Sequence, residues 1–249
     1  MRRVLPLLPG LVMATLFAAP VGAAESGAAD CRVPREIVED DPLLPLTAAR
    51  IKAKQPLRIV VIGGASTAGM AAGDGATRGY PRRLQDALTR RHPGMEITVF
   101  NKGMPGQVTA QMVERFPRDV FASNPTLVIW ETGTVDAVRG VDVDQFAAEL
   151  QDGMAILRQH HLDIMLVSMQ YNPGAGSVIN FEPYLESLRH TADFADVYLF
   201  RRYEAMKYWS DTGLFNFVDV PKDRRAPFAA EVYRCVGEAL AEAIDYGAR

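Results

Sequence analysis

The chain has 249 residues, is 48% apolar and carries a formal net charge of −3. That apolar content excludes a disordered chain, and the acidic balance argues against nucleic acid or an anionic membrane surface as the main partner. The length suits one α/β domain of ordinary size behind a short leader.

In chain order, Arg2 and Arg3 precede an apolar run that ends in small residues. This layout predicts a secretory signal peptide over residues 1–23, cut after Ala23. Pro6, Pro9 and Pro20 interrupt the run, which argues against a membrane anchor that outlasts cleavage. The expected address is the periplasm or the exterior. Residues 24–55 read as an acidic, Pro-rich arm ending in a short helix over 46–55. Cys31 and Cys235 both lie beyond the cut, and a lone pair in an oxidising compartment is expected to be bridged. The alternative is a buried Cys235 thiol on an apolar helix face.

The body, residues 56–249, alternates strands and helices. The first strand, 57–63, is a Val/Ile run of the kind buried on both faces. A Gly- and Ala-rich loop over 65–79 follows, then an amphipathic helix over 80–92 with Leu84, Ala87 and Leu88 on one face. Further strands are predicted over 95–101, 126–131, 163–169 and 196–200. The intervening helices are 107–123, kinked at Pro117, then 143–161 and 181–194. A short helix over 202–210, an irregular stretch over 211–227 and a final helix over 228–246 complete the chain. Five apolar strands alternating with helices imply a parallel sheet covered on both faces and joined by right-handed crossovers.

In such a sheet the chemistry lies on the loops after the strands. There the chain presents Ser66, Gly103, the turn from Thr132 to Asp136, Tyr171 and Asn172, and the segment before the last helix. Ser66 admits three readings: a nucleophile, an anion ligand or a helix cap. The loop G-G-A-S-T-A-G matches neither phosphate-binding pattern, G-x-x-x-x-G-K-[ST] or G-x-G-x-x-G. No Cys/His cluster suggests a metal, and no cofactor is expected. Glu131, Asp136 and Asp219 are candidates to line the cleft, with a simple end-of-strand role open to Glu131. Trp130 reads as core.

Three blocks in order, V-I-G-G-A-S-T-A-G, N-K-G-M-P-G-Q and V-I-W-E-T-G-T-V-D-A-V-R-G, sit after three successive strands. They resemble the first three signature blocks of the SGNH (GDSL) hydrolase family. The resemblance implies a flavodoxin-like three-layer α/β/α sandwich with a five-stranded parallel sheet, and cleavage of esters on lipids or carbohydrates. It implies Ser66 as nucleophile, with the backbone N–H groups of Ser66 and Gly103 as oxyanion donors. Thr67, Thr134, Val135 and Asp136 would flank them.

The chain also departs from the family pattern. Ala65 replaces an Asp in the first block. Val135 stands where a G-x-N-D turn supplies an Asn donor. No His follows His190, so the closing D-x-x-H is missing: Asp219 is followed by Lys222, Asp223 by Ala226, and the other alignment gives Arg224 and Pro227. His92, His160, His161 and His190 are expected at the amino edge of the sheet, away from Ser66. A serine without a base is a poor nucleophile. The resemblance thus implies an exported, SGNH-like domain with an impaired esterase site, binding a saccharide, an acylated ligand or another envelope protein. Rival expectations are an active esterase using Lys222 or Asp219 as base, and a flavodoxin-like module with Ser66 and Thr67 as anion ligands.

Overall fold

The computed structural model describes residue 1 and residues 30–249; the expected leader otherwise lies outside the described residues. Five strands form one parallel sheet: β1 (Leu57–Gly63), β2 (Ile97–Gly103), β3 (Leu127–Glu131), β4 (Asp163–Val167) and β5 (Tyr198–Phe200). Their spatial order is β2-β1-β3-β4-β5, the flavodoxin-like order. Helices cover both faces, as the alternating pattern requires.

Side chains alternate across the sheet, so each strand feeds two cores. Ile59, Val61, Leu127 and Ile129 face one core with Leu84, Leu88, Val236 and Leu240, from the helices Tyr80–Arg91 and Arg225–Gly247. Val60, Ile62, Val128 and Trp130 face the other with Met112, Phe146, Leu150 and Leu188. These last come from the helices Thr109–Glu114, Val143–Arg158 and Glu182–Ala195. Trp130 is wholly buried, edge-on to Phe116.

Several boundaries differ from expectation for local reasons. The helix expected over 107–123 is three pieces, Thr109–Glu114, Phe116–Asp119 and a 3-10 turn, Phe121–Ser123. Pro117 has no N–H to give and its ring crowds the preceding turn, so it sits at the start of the second piece. The stretch after β3 is not a plain turn. Gly133, with φ of 90°, leads into a helix, Thr134–Arg139. Asp196, at φ 50°, ends the preceding helix, so β5 begins later than residue 196. The last helix starts at Arg225 because Pro227 is tolerated in a first turn, where N–H groups lack partners anyway.

The arm lies along the β5 edge. Tyr198 Oη donates to Val38 O, and Leu199 N donates to Asp40 Oδ2 at 2.7 Å. An edge-strand N–H is thereby capped rather than left open for pairing. Asp163 accepts from Leu46 N and Thr47 N, at 3.3 and 2.7 Å, and so seats the helix Pro45–Lys52. Cys31 and Cys235 form a disulfide that ties the arm to the last helix. No helix among the described residues is long and apolar enough to cross a membrane.

Candidate active site

The β1–β2 register pairs Gly63 with Gly103, so the loops after these strands leave the sheet side by side. Between β1 and β3 the strand order reverses, and ligands bind at such a switch point, outside the carboxyl ends of the strands. Ser66 stands on one side of it and Glu131, the last residue of β3, on the other.

Glu131 is a carboxylate 3% exposed at the end of a wholly buried strand. Its Oε2 accepts from Thr67 Oγ1 at 2.8 Å, from Gly64 N at 3.2 Å and from Ser66 Oγ at 3.4 Å. The carboxylate fits only because residue 63 is glycine: a Cβ there would meet Thr67 Oγ1 at 2.2 Å and Glu131 Oε2 at 2.7 Å. Thr67 has one hydroxyl proton, and it goes to Glu131. The 2.7 Å contact between Thr67 and Tyr80 is then donated by Tyr80 Oη. Burial pushes the Tyr80 phenol well above its usual range, so it keeps that proton.

Arg202 completes the cluster. It is the first residue of the helix Arg202–Asp211 after β5 and is 0% exposed. Its Nη1 donates to Ser66 Oγ at 2.7 Å and lies 3.8 Å from Glu131 Oε1. Its guanidinium carbon sits 5.3 Å from the centre of the Tyr80 ring. Ser66 Oγ thus accepts from a buried cation and makes a long hydrogen bond to a carboxylate.

The other expected site residues divide. Gly103 is packed directly on the Ser66 loop: a Cβ would lie 2.1 Å from Ala68 N and 2.6 Å from Thr67 C. Its N–H, assigned to the oxyanion by resemblance, donates to Asn101 Oδ1 at 2.9 Å, a local Asx-type bond. Asp136 is buried and accepts from Thr109 N at 2.9 Å, and burial raises its carboxyl pKa. Thr134 and Val135 are half-buried on the same helix. Asp219 and Lys222 are exposed on the segment before the last helix. The described side-chain hydrogen bonds of Ser66 go to Glu131 and Arg202, not to either of these.

Three of the four histidines are engaged elsewhere, and the fourth, His161, is exposed. His92 Nε2 lies 2.7 Å from Asp245, His160 stacks on Phe121, and His190 is 3.7 Å from Glu186. Beside the cluster opens a cavity of about 410 Å³, lined by Arg202, Tyr171, Phe217, Phe228 and Val232 among others. Sequence reading placed Tyr171 and Asn172 near a ligand, and both line this cavity. It missed Arg202 and Tyr80. The available signals were an Arg pair directly after an apolar strand and a Glu ending one.

Because Gly103 meets backbone rather than flexible side chains, Gly103→Ala is expected to cost about 2 kcal/mol or more. Gly64 has nothing within 4 Å of a built Cβ, so Gly64→Ala is expected to change stability by under about 0.5 kcal/mol. Thermal melts of the two variants check this. Equal midpoints would show that the Ser66 loop yields to the added methyl.

A family model, the non-GDSL lipase-like family, matches residues 30–249. An arylesterase of Vibrio mimicus is 24% identical over 99 residues, covering 40% of this chain. The matched stretch spans 48% of that relative's length, so about half of it is represented. A solved putative lipolytic protein of the G-D-S-L family from Desulfitobacterium hafniense superposes with a TM-score of 0.58 at 20% identity, covering 75% of this chain and 98% of that one. A catalytic mutant of an acetylxylan esterase from Geobacillus stearothermophilus superposes with a TM-score of 0.62 at 19% identity, covering 76% and 94%. At these identities the structural likeness establishes the fold.

Proposed function

We propose that this chain, which belongs to the non-GDSL lipase-like family and has the SGNH/GDSL-type hydrolase fold, is an exported protein that uses its esterase cleft mainly to bind. The observation that carries this reading is the 2.7 Å bond from Arg202 Nη1 to Ser66 Oγ. A nucleophilic serine needs a base to take its proton and a free lone pair to attack. Here a buried guanidinium occupies one of the hydroxyl's two lone pairs and draws electron density from the oxygen, and no described histidine bonds to the hydroxyl. Removing a triad member costs on the order of 10⁴–10⁶ in rate. The expected consequence is a site that holds a small saccharide or acylated ligand, or an envelope partner, without efficient turnover. The disulfide supports the exported address, since such bonds persist in oxidising compartments.

A second reading rests on one contact. Glu131 Oε2, 3.4 Å from Ser66 Oγ, is the carboxylate placed to act as a base. Reaction with a fluorophosphonate probe separates the two. Folded wild-type protein is expected to stay unlabelled under conditions that fully label an active serine esterase. Labelling that disappears in Ser66→Ala and in Glu131→Gln would overturn the binding reading in favour of a carboxylate-based esterase.

A further inference from the structure

Arg202 is only half explained by its bonds to the Ser66 loop. A guanidinium offers two edges, and the Nε–Nη2 edge is one that grips a carboxylate through two parallel hydrogen bonds. Nη1 is committed to Ser66 and lies near Glu131. Nε and Nη2 are buried and find no acceptor among the described residues. A buried donor without an acceptor is costly, and here two such donors share one edge of one residue. That residue is among those lining the 410 Å³ cavity, whose size falls within the usual range for small-molecule sites.

Most of the remaining wall is aromatic or aliphatic, with Gln170, Asn172 and Arg225 as its further polar side chains. Tyr171, Phe217 and Phe228 form an edge-on aromatic set with ring centroids 5.5–6.0 Å apart, and Met206 and Val232 extend it. Arg225, at the exposed rim, is the other cation lining the cavity. Glu131 offsets one positive charge at 3.8 Å, so the cavity retains a net positive balance suited to a monoanion.

We infer that the cavity is a receptor for an apolar carboxylate, an aryl or short-chain aliphatic monoanion, whose two oxygens take the Nε–Nη2 edge of Arg202 while its body packs on Tyr171, Phe217 and Phe228. This names the ligand class for the binding reading above and rests on it. Recognition of a free carboxylate needs no ester bond, so the outcome is read separately from turnover.

The test is isothermal titration of the mature chain with trans-cinnamate and with its uncharged amide, trans-cinnamamide. The carboxylate is expected to bind about ten- to a hundredfold more tightly than the amide, the range for a charge-assisted bidentate pair. Arg202→Lys keeps the cation but loses the fork, and is expected to weaken cinnamate about tenfold while leaving the amide unchanged. Arg225→Met removes the second cation of the lining and is expected to lower the preference, but only about two- to fourfold, because solvent screens an exposed charge. Equal affinities for the two compounds, binding of neither at millimolar concentration, or a preference lost in Arg225→Met and kept in Arg202→Lys would each overturn the assignment. Fluorophosphonate labelling with an intact cinnamate preference would overturn only the non-catalytic reading.

Discussion

Arg202→Met is expected to lower the thermal midpoint by roughly 6–20 °C, the equivalent of about 3–5 kcal/mol in a chain of this size. The substitution removes the cation facing Glu131 and leaves that carboxylate buried with only neutral donors, Thr67, Gly64 N and Ser66. Most of the loss comes from the stranded charge, not from the 3.8 Å pairing itself. The double variant Arg202→Met/Glu131→Gln should therefore be more stable than the single one and recover at least about half of the loss. The glutamine carbonyl still accepts from Gly64 N and Thr67 Oγ1. Melts of wild type, both single variants and the double variant close the cycle. A single-variant midpoint within about 2 °C of wild type would show that Arg202 is not electrostatically coupled to the site. A double variant weaker than both singles would show that Glu131 owes its place to hydrogen bonding alone.

Removing the disulfide is the second large effect. Cys31 and Cys235 are 204 residues apart, and a loop of that length confers about 5 kcal/mol on a chain-entropy account. Cys31→Ser/Cys235→Ala, which leaves no thiol in the apolar environment of residue 235, is expected to lower the midpoint by roughly 10–20 °C. Reductant should produce a similar fall in wild type and none in the variant. The arm has other anchors: Trp209 Nε1 donates to Cys31 O at 3.2 Å, and Asp40 caps Leu199. Proteolysis should consequently begin near residues 30–37, before the strands open. A variant that melts within about 3 °C of wild type would mean that these backbone anchors hold the arm without the bridge.

Much of the architecture was legible in the sequence because its cause is local. Five β-branched or apolar runs separated by amphipathic helices admit few arrangements other than a covered parallel sheet, and the sheet has five parallel strands. The bridge between Cys31 and Cys235 was expected from a lone cysteine pair behind an export signal, and the structure joins them. The strand-end blocks placed Ser66 and Gly103 together, and the Gly63–Gly103 register brings their loops side by side. The errors were boundaries at Pro117 and Asp196 and a helix missed after Gly133, where backbone conformation overrides periodicity.

The sequence by itself determined the sheet, the position of the serine and the absence of a histidine near the last helix. Only the tertiary structure decided that Cys31 and Cys235 are joined and which groups meet the serine hydroxyl. Ser66 and Arg202 are 136 positions apart, and neither lies in a pattern that announces the other. Periodicity reports which face of one element is apolar. It does not report which buried charges meet where β1, β3 and β5 end, because those partners are selected by desolvation in three dimensions: a cation and a carboxylate sealed from water persist there only by satisfying each other.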